Sequence, residues 1–173
     1  FQTVGRDAGW LAAASVAAKD NDGDAPHIIL MPERAFDRDA FLADVEACHK
    51  KHGWVSIVCG EGIANADGSP VSASTTTDKF ANVEFGAMGG TSAAMVLHKI
   101  LADAFGWRGE FQVCESLQMC AADRASSSDA EEAYACGERA VELAAAGESG
   151  VMVSIVRESD DPYRWSLGTA PLA

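Results

Sequence analysis

The chain has 173 residues, 48% of them hydrophobic and 23% charged, a globular composition that excludes intrinsic disorder, a collagen-like repeat and a coiled coil. It is long enough for one sizeable core and too short for two ordinary domains with a linker, so one domain or a piece of a larger one is expected. Thirteen Lys and Arg against 26 Asp and Glu leave a net charge of −13, the wrong sign for a nucleic-acid backbone or an anionic membrane surface. An anionic ligand would have to be held by a few placed arginines and helix N-termini, against the field of the whole chain.

Phe1 to Val4 reads as extended, Gly5-Arg6 as a turn, and Asp7 as the cap of a helix through Trp10, Leu11, Ala14, Val16 and Ala17. That helix is apolar nearly all round and is expected to be buried. His27 to Met31 is a continuous apolar run closed by Pro32-Glu33, the pattern of a strand covered on both faces. Asp37 caps the next helix, with Phe36 and Phe41 spaced for a hydrophobic staple, Leu42, Val45 and Cys48 extending its apolar face, and Gly53 as its stop. Trp54 to Cys59 is a second buried strand, followed by Gly60-Glu61-Gly62.

Residues 64–82 are rich in Ser, Thr, Asp, Asn and Gly and read as a long loop. Gly86, Gly89 and Gly90 precede a helix carrying Ala94, Leu97, Leu101 and Ala104. Phe111 to Cys114 reads as a short strand and 121–128 as a polar connection. Asp129 with Glu132 suggests a capping box for a helix ending at Gly147. Val151 to Val156 is a further strand, turned by Asp160-Asp161-Pro162 into a last extended piece from Tyr163 to Leu167. Strands alternating with helices predict an α/β fold, a layered Rossmann-like domain with a mostly parallel sheet.

No apolar run approaches the roughly 18 residues of a membrane-spanning helix, and the start lacks a secretory pattern, so a cytoplasmic protein is expected. Five cysteines (Cys48, Cys59, Cys114, Cys120 and Cys136) lie in apolar segments with no close Cys-x-x-Cys pair, and buried reduced thiols are expected. The chain opens on Phe1 rather than Met, in what reads as a strand already under way, so a fragment missing its upstream part is expected.

Ligands of parallel α/β sheets bind at the carboxyl ends of strands, which singles out Gly5-Arg6, Pro32-Glu33 and Gly60-Glu61. Arg6, where a strand feeds a helix, could hold a phosphate together with free N–H groups. On spacing alone, pairing with Asp7 or solvation is the simpler role. Glu33 could accept from sugar hydroxyls; alone, it reads as a carboxylate paired with Arg34 or solvated. The glycine cluster lacks a P-loop ending, and no Gly-x-Gly-x-x-Gly follows a strand. His49 and His52 lack an evident third metal ligand and read as a solvated pair at a helix C-terminus. Ser126-Ser127-Ser128 reads as loop, and Glu131, Glu132 and Glu138 as a solvated helix face.

Several segments, in order over nearly the whole chain, resemble the C-terminal half of the phosphofructokinase family, most closely its pyrophosphate-dependent branch. Val4-Gly5-Arg6-Asp7-Ala8-Gly9-Trp10 is similar to the family's Met-Gly-Arg turn, and Pro26-His27-Ile28-Ile29 leading to Pro32-Glu33-Arg34-Ala35-Phe36 to its sugar-binding Pro-Glu segment. Gly60-Glu61-Gly62-Ile63, Asp78-Lys79-Phe80, Leu117-Gln118, Glu131-Glu132-Ala133-Tyr134 and Asp160-Asp161-Pro162-Tyr163-Arg164-Trp165 follow in the family's order. The resemblance implies transfer of a phosphoryl group from pyrophosphate, or else ATP, to the 1-hydroxyl of fructose 6-phosphate, in a homodimer or tetramer. Arg6 would steady the phosphoryl charge, and Val4, Gly5, Arg6, Glu33, Ser116 and Met119 would face the sugar phosphate. Mg2+ ligands, the catalytic aspartate and the donor site would lie in the N-terminal half, so these 173 residues alone are expected to be inactive.

The departures are specific. Val4 stands where the family usually has Met, Ser116 where it has Tyr or His, and Met119 where it has an Arg directed at the sugar 6-phosphate. Losing that Arg removes a charge-assisted contact worth about 1.5–3 kcal/mol, about tenfold to a hundredfold in affinity. Arg124 is a nearby cation in a connector, where solvation is the simpler role. Three functions follow: a phosphofructokinase, with fructose 6-phosphate or a longer phosphorylated ketose as acceptor; a regulatory paralogue with a decayed phosphate site; and an acidic binding module similar in architecture only.

Overall fold

A computed structural model describes residues 1–72, 77, 79, 81 and 91–172. Gly86, Gly89, Gly90, Asp78, Phe80 and residues 73–76 and 82 of the polar stretch 64–82 lie outside the described residues. Two compact units are present, Phe1–Cys120 and Ala121–Ala173.

The first unit is built on three short strands, β1 (Gln2–Thr3), β2 (Ile28–Leu30) and β3 (Ile57–Gly60). They pair in the order β1-β3-β2, both ladders parallel, with Gln2 opposite Cys59 and Ile28 opposite Ile57. The strand expected at 111–114 contributes a single parallel bridge, Gln2 to Val113, which nevertheless sets this segment beside β1. Burial in β2 is partial rather than complete on both faces.

Helix α1 (Trp10–Ala14) continues as one 3-10 turn through Ala18. Its expected burial is not observed: Ala12 is buried, but Trp10 is 81% exposed and Leu11 and Val16 are exposed too, because the short helix turns one face only to β1, β2 and β3. Helix α2 (Arg38–His52) follows its sequence signals. Asp37 accepts from Asp39 N and Ala40 N at 3.0 Å each, Phe36 and Phe41 meet with ring centroids 5.4 Å apart, and Gly53 ends the helix at φ 79°. That left-handed conformation is one only glycine adopts without cost.

Helix α3 (Ala93–Phe105) is capped by Ser92, and α4 (Glu115–Cys120) closes the unit. Phe41, Val45, Cys59, Ile63, Val71, Ala93, Ala94 and Leu97 form the core between α2, β3 and α3. Burial of about 25 cal/mol per Å² of apolar surface makes this cluster the main stabiliser of the unit. The cysteines are all free; Cys59 is buried as expected, Cys120 is exposed.

The second unit holds a 3-10 turn (Ala122–Arg124), helix α5 (Ser127–Ala145) and the antiparallel hairpin of β4 (Val151–Asp160) and β5 (Tyr163–Pro171). Ser126 caps α5 by accepting from Asp129 N, so the serine run is a helix start and not a loop, and Asp129 lies in the first turn rather than at the cap. Glu132, expected in solvent, is buried because Tyr163 of β5 donates its hydroxyl to the carboxylate. Arg124 pairs with its neighbour Asp123 at 3.2 Å on the surface.

Candidate functional site

The parallel ladder fixes where the polar ends of the strands fall. Gly5-Arg6 leaves β1, Pro32-Glu33 leaves β2 and Gly60-Glu61-Gly62 leaves β3, so three segments far apart in sequence emerge on one edge of the sheet, with β3 between the other two. This is the edge at which parallel sheets bind ligands. Helix α4, following Val113, brings Ser116, Gln118 and Met119 beside the same turn, since Gln118 Oε1 accepts from Val4 N at 3.0 Å.

Three acceptors therefore hold the Val4 to Gly9 stretch. Gln118 takes Val4 N, Glu61 Oε1 takes Gly5 N at 3.1 Å, and Glu33 Oε1 takes Gly9 N at 2.7 Å. Glu33 is thus neither paired with Arg34 nor merely solvated: it supplies the acceptor at the start of α1 that Asp7 was expected to provide, and Gly9 itself is the N-cap. The Gly9 N–H holds the Glu33 carboxyl below the usual carboxylate range. Its second oxygen lies against Gly9, where a Cβ would come within 2.9 Å of Oε2.

Close approach explains a further glycine. Gly5 adopts φ 138° and a Cβ there would lie 2.4 Å from Ala8 O. Arg6, Ser116 and Met119 are exposed, while Val4 and Gly5 are half-buried. All six sequence-derived residues consequently share one edge of the first unit, through adjoining segments.

Four residues support this edge: Glu61, a strand-end residue singled out by the sequence, and Gln2, Glu115 and Gln118, for which the sequence suggests no role. Glu61 is buried, and burial first, then the negative charge of Glu115, pushes its carboxyl above the usual carboxylate range. Gln2 is wholly buried; its Nε2 donates to Glu115 Oε1 at 2.5 Å and its Oε1 accepts from Ala94 N at 3.1 Å. A polar side chain in a short strand carries no pattern signal for this, although Glu61 and Gln118 both lie inside motif segments.

Two other features are set apart from this edge. An apolar cavity of about 750 Å³, lined by Phe1, Trp54, Ile57, Leu97 and Trp107, lies at the amino ends of the strands. His27, Cys48 and His52 place ligand atoms within 4.8 Å of one another, a convergence not visible in spacing, while His49 stacks on Trp107 instead of standing in solvent. Ser56 N donates to His27 Nδ1 at 3.0 Å, which puts the neutral ring's proton on the buried Nε2. A metal ligand needs that lone pair free, so the trio is a packed polar group.

Mg2+ requires several oxygen ligands. At the strand ends each carboxylate has one oxygen in a hydrogen bond, Glu33 with Gly9 N, Glu61 with Gly5 N and Glu115 with Gln2 Nε2. Among the described residues no three His, Cys, Asp or Glu ligand atoms converge at this edge, so the strand ends alone do not make a magnesium site.

The chain is 41% identical over 173 residues to the pyrophosphate–fructose 6-phosphate 1-phosphotransferase of Halomonas elongata, covering 100% of itself and 40% of that protein. The crystal structure of the pyrophosphate-dependent phosphofructokinase from Marinobacter aquaeolei superposes with a TM-score of 0.69 at 34% identity, over 99% of this chain and 38% of that one. The chain belongs to the phosphofructokinase family, in its pyrophosphate-dependent branch. A more distant relative in Alkalicoccus urumqiensis, 28% identical over 172 residues, covering 99% of this chain and 42% of that protein, is named a sulfofructose kinase. No family profile matches the chain. It spans about 40% of the length of these relatives. Among the described residues no helix is long and apolar enough to cross a membrane.

Proposed function

We propose that these 173 residues form the sugar-phosphate side of an enzyme that transfers a phosphoryl group from pyrophosphate to the 1-hydroxyl of fructose 6-phosphate. The observation that carries this reading is the convergence of Gly5-Arg6, Glu33 and α4 at the carboxyl edge of the β1-β3-β2 sheet. In the transfer the sugar oxygen forms a bond to phosphorus, the bond to the departing phosphate breaks, and the hydroxyl proton leaves to a base. Such a reaction needs in-line positioning and charge neutralisation more than covalent chemistry.

Arg6 is the cation placed to neutralise charge on the transferring group, its fixed guanidinium donors matching phosphoryl oxygens. The Gly5 backbone, bare of a side chain, lets the sugar approach the turn. Glu33, fixed through Oε1 by Gly9 N, keeps acceptor capacity on Oε2 for sugar hydroxyls. The proposal includes a base, donor site and Mg2+ ligands supplied by the remainder of a longer parent, and a homodimer or tetramer in the cytoplasm.

A second reading concerns the acceptor. Met119 and Ser116 are exposed on α4 beside Val4, without charge for a 6-phosphate. An acceptor with a different group at that end, or a paralogue that binds without turnover, fits these two positions better. The parent protein assayed with pyrophosphate or ATP, against fructose 6-phosphate, sedoheptulose 7-phosphate and sulfofructose, separates these readings. Turnover of fructose 6-phosphate with pyrophosphate supports the first; turnover of another acceptor, or none, supports the second.

A further inference from the structure

The main chain from Phe1 to Val4 alternates between two neighbours. Toward β3, Phe1 O and Thr3 O accept from Cys59 N at 2.9 Å and Glu61 N at 3.0 Å. On the other side Gln2 N donates to Gln112 O at 2.8 Å and Gln2 O accepts from Cys114 N at 3.1 Å, two bonds of a parallel ladder about Val113. Continued one step, that register would offer the Cys114 carbonyl to Val4 N. Cys114 O instead accepts from Gln118 N at 3.1 Å, the bond on which α4 starts. A half-buried N–H without an acceptor is costly. Gln118 supplies the replacement: its side-chain Oε1 accepts from Val4 N at 3.0 Å. The glutamine amide thus stands in for the diverted ladder carbonyl and carries the pairing of β1 one residue past Thr3, up to the Gly5-Arg6 turn.

Glu115 and Gln118, three apart on α4, share one face, and both hold the strand, Glu115 through Gln2 Nε2 and Gln118 through Val4 N. Ser116 and Met119, also three apart, share the neighbouring face and are exposed. One side of α4 is therefore fastened to the segment that delivers Arg6, and the next side is open to a ligand. We propose that Gln118 is a positioning residue, through which an acceptor resting on Ser116 and Met119 fixes the Gly5-Arg6 turn for transfer.

This role rests on the sugar-phosphate reading above, whereas the ladder extension rests on the hydrogen bonds alone. Contacts at the distal end of the acceptor then serve the reacting end, so they act on kcat as well as on binding. Loss of the Gln118 amide leaves both faces of the site in place and uncouples them.

The test uses the parent protein with Gln118→Met, a side chain of similar length whose thioether is only a weak acceptor, and Gln118→Glu, which restores an acceptor oxygen. Gln118→Asn, whose acceptor falls one methylene short, gives the same reading if Gln118→Met does not fold. The acceptor is whichever of fructose 6-phosphate, sedoheptulose 7-phosphate and sulfofructose the wild type turns over. Hydrogen exchange at Val4, read in the peptide spanning residues 1–9, should quicken about three- to tenfold in Gln118→Met. Its kcat should fall about tenfold to a hundredfold, as for a misplaced reacting group, with KM changing less than about threefold. Gln118→Glu should recover most of kcat, its added charge acting on KM for an anionic acceptor. Saturating acceptor should slow exchange of residues 1–9 in the wild type and Gln118→Glu but not in Gln118→Met, and slow that of residues 115–120 in all three. Unchanged exchange of residues 1–9 in Gln118→Met overturns the ladder extension. Faster exchange with kcat unmoved, or a loss of kcat that Gln118→Glu shares in full, overturns the positioning role. A parent without turnover on any acceptor refutes the enzyme reading and the role that rests on it, while the exchange result still decides the ladder extension.

Discussion

Gly62 packs against the backbone of Arg6 so closely that a Cβ at position 62 would lie 1.6 Å from the Arg6 carbonyl oxygen. The contact is backbone to backbone, and no side-chain movement can relieve it. Gly62→Ala is expected to displace the Arg6 turn and to cost about 1–3 kcal/mol, the usual penalty of overpacking. Thermal unfolding of the variant beside Gly68→Ala measures it; Gly68 has open space around it but a φ of 81°, so it controls for backbone strain alone.

Glu33 makes the link between α1 and the end of β2 dependent on acid. Its carboxyl is held below the usual range by the Gly9 N–H, so its contribution to stability is present above the ordinary carboxylate pKa and lost as pH falls through the lowered one. Amide exchange of residues 10–14 is expected to quicken at acid pH in the wild type. In Glu33→Gln, which keeps an acceptor without a titrating group, that acid dependence disappears.

Much of this arrangement was legible beforehand, for identifiable reasons. Asp37, the Phe36-Phe41 staple and Gly53 delimit α2 through local hydrogen bonds and φ preferences, and local signals survive into the fold. The three strand-end segments were legible because a parallel sheet puts them on one edge. Asp7 and the α1 burial failed where a nonlocal partner overrode the local pattern, Glu33 taking the helix start and α1 facing the sheet with Ala12 alone, whereas Asp129 lost the cap of α5 to a local competitor three residues earlier, Ser126. Gln2, Glu115 and the His27, Cys48, His52 trio depend wholly on contacts between distant segments, which residue spacing does not encode.

Met119 offers a gain-of-function test. It is 71% exposed on α4, one residue beyond Gln118, which holds Val4 N. Met119→Arg restores a charge-assisted donor toward a 6-phosphate and is expected to tighten fructose 6-phosphate about tenfold to a hundredfold. Calorimetric titration of the parent protein measures it, and an unchanged affinity shows that position 119 does not face the sugar phosphate.

In the second unit, Tyr163 donates to Glu132, and this hydrogen bond pushes the phenol above its ordinary pKa. The protein has two tyrosines, Tyr134 and Tyr163, so a spectrophotometric titration of Tyr134→Phe reports Tyr163 alone. The phenol is expected to ionise above pH 10, with its share of stability fading as pH rises through that point. Glu132→Gln should bring the transition back toward the ordinary value.

The central claim is that the Gly5-Arg6 turn serves phosphoryl transfer, and Arg6→Ala in the parent protein tests it most directly, with initial rates of fructose 6-phosphate phosphorylation by pyrophosphate. Removing one placed charge stabiliser from such a site costs about a hundredfold to a thousandfold in kcat. A fall of that size, with thermal unfolding unchanged, is the predicted result. An Arg6→Ala protein that turns over at the wild-type rate contradicts the account.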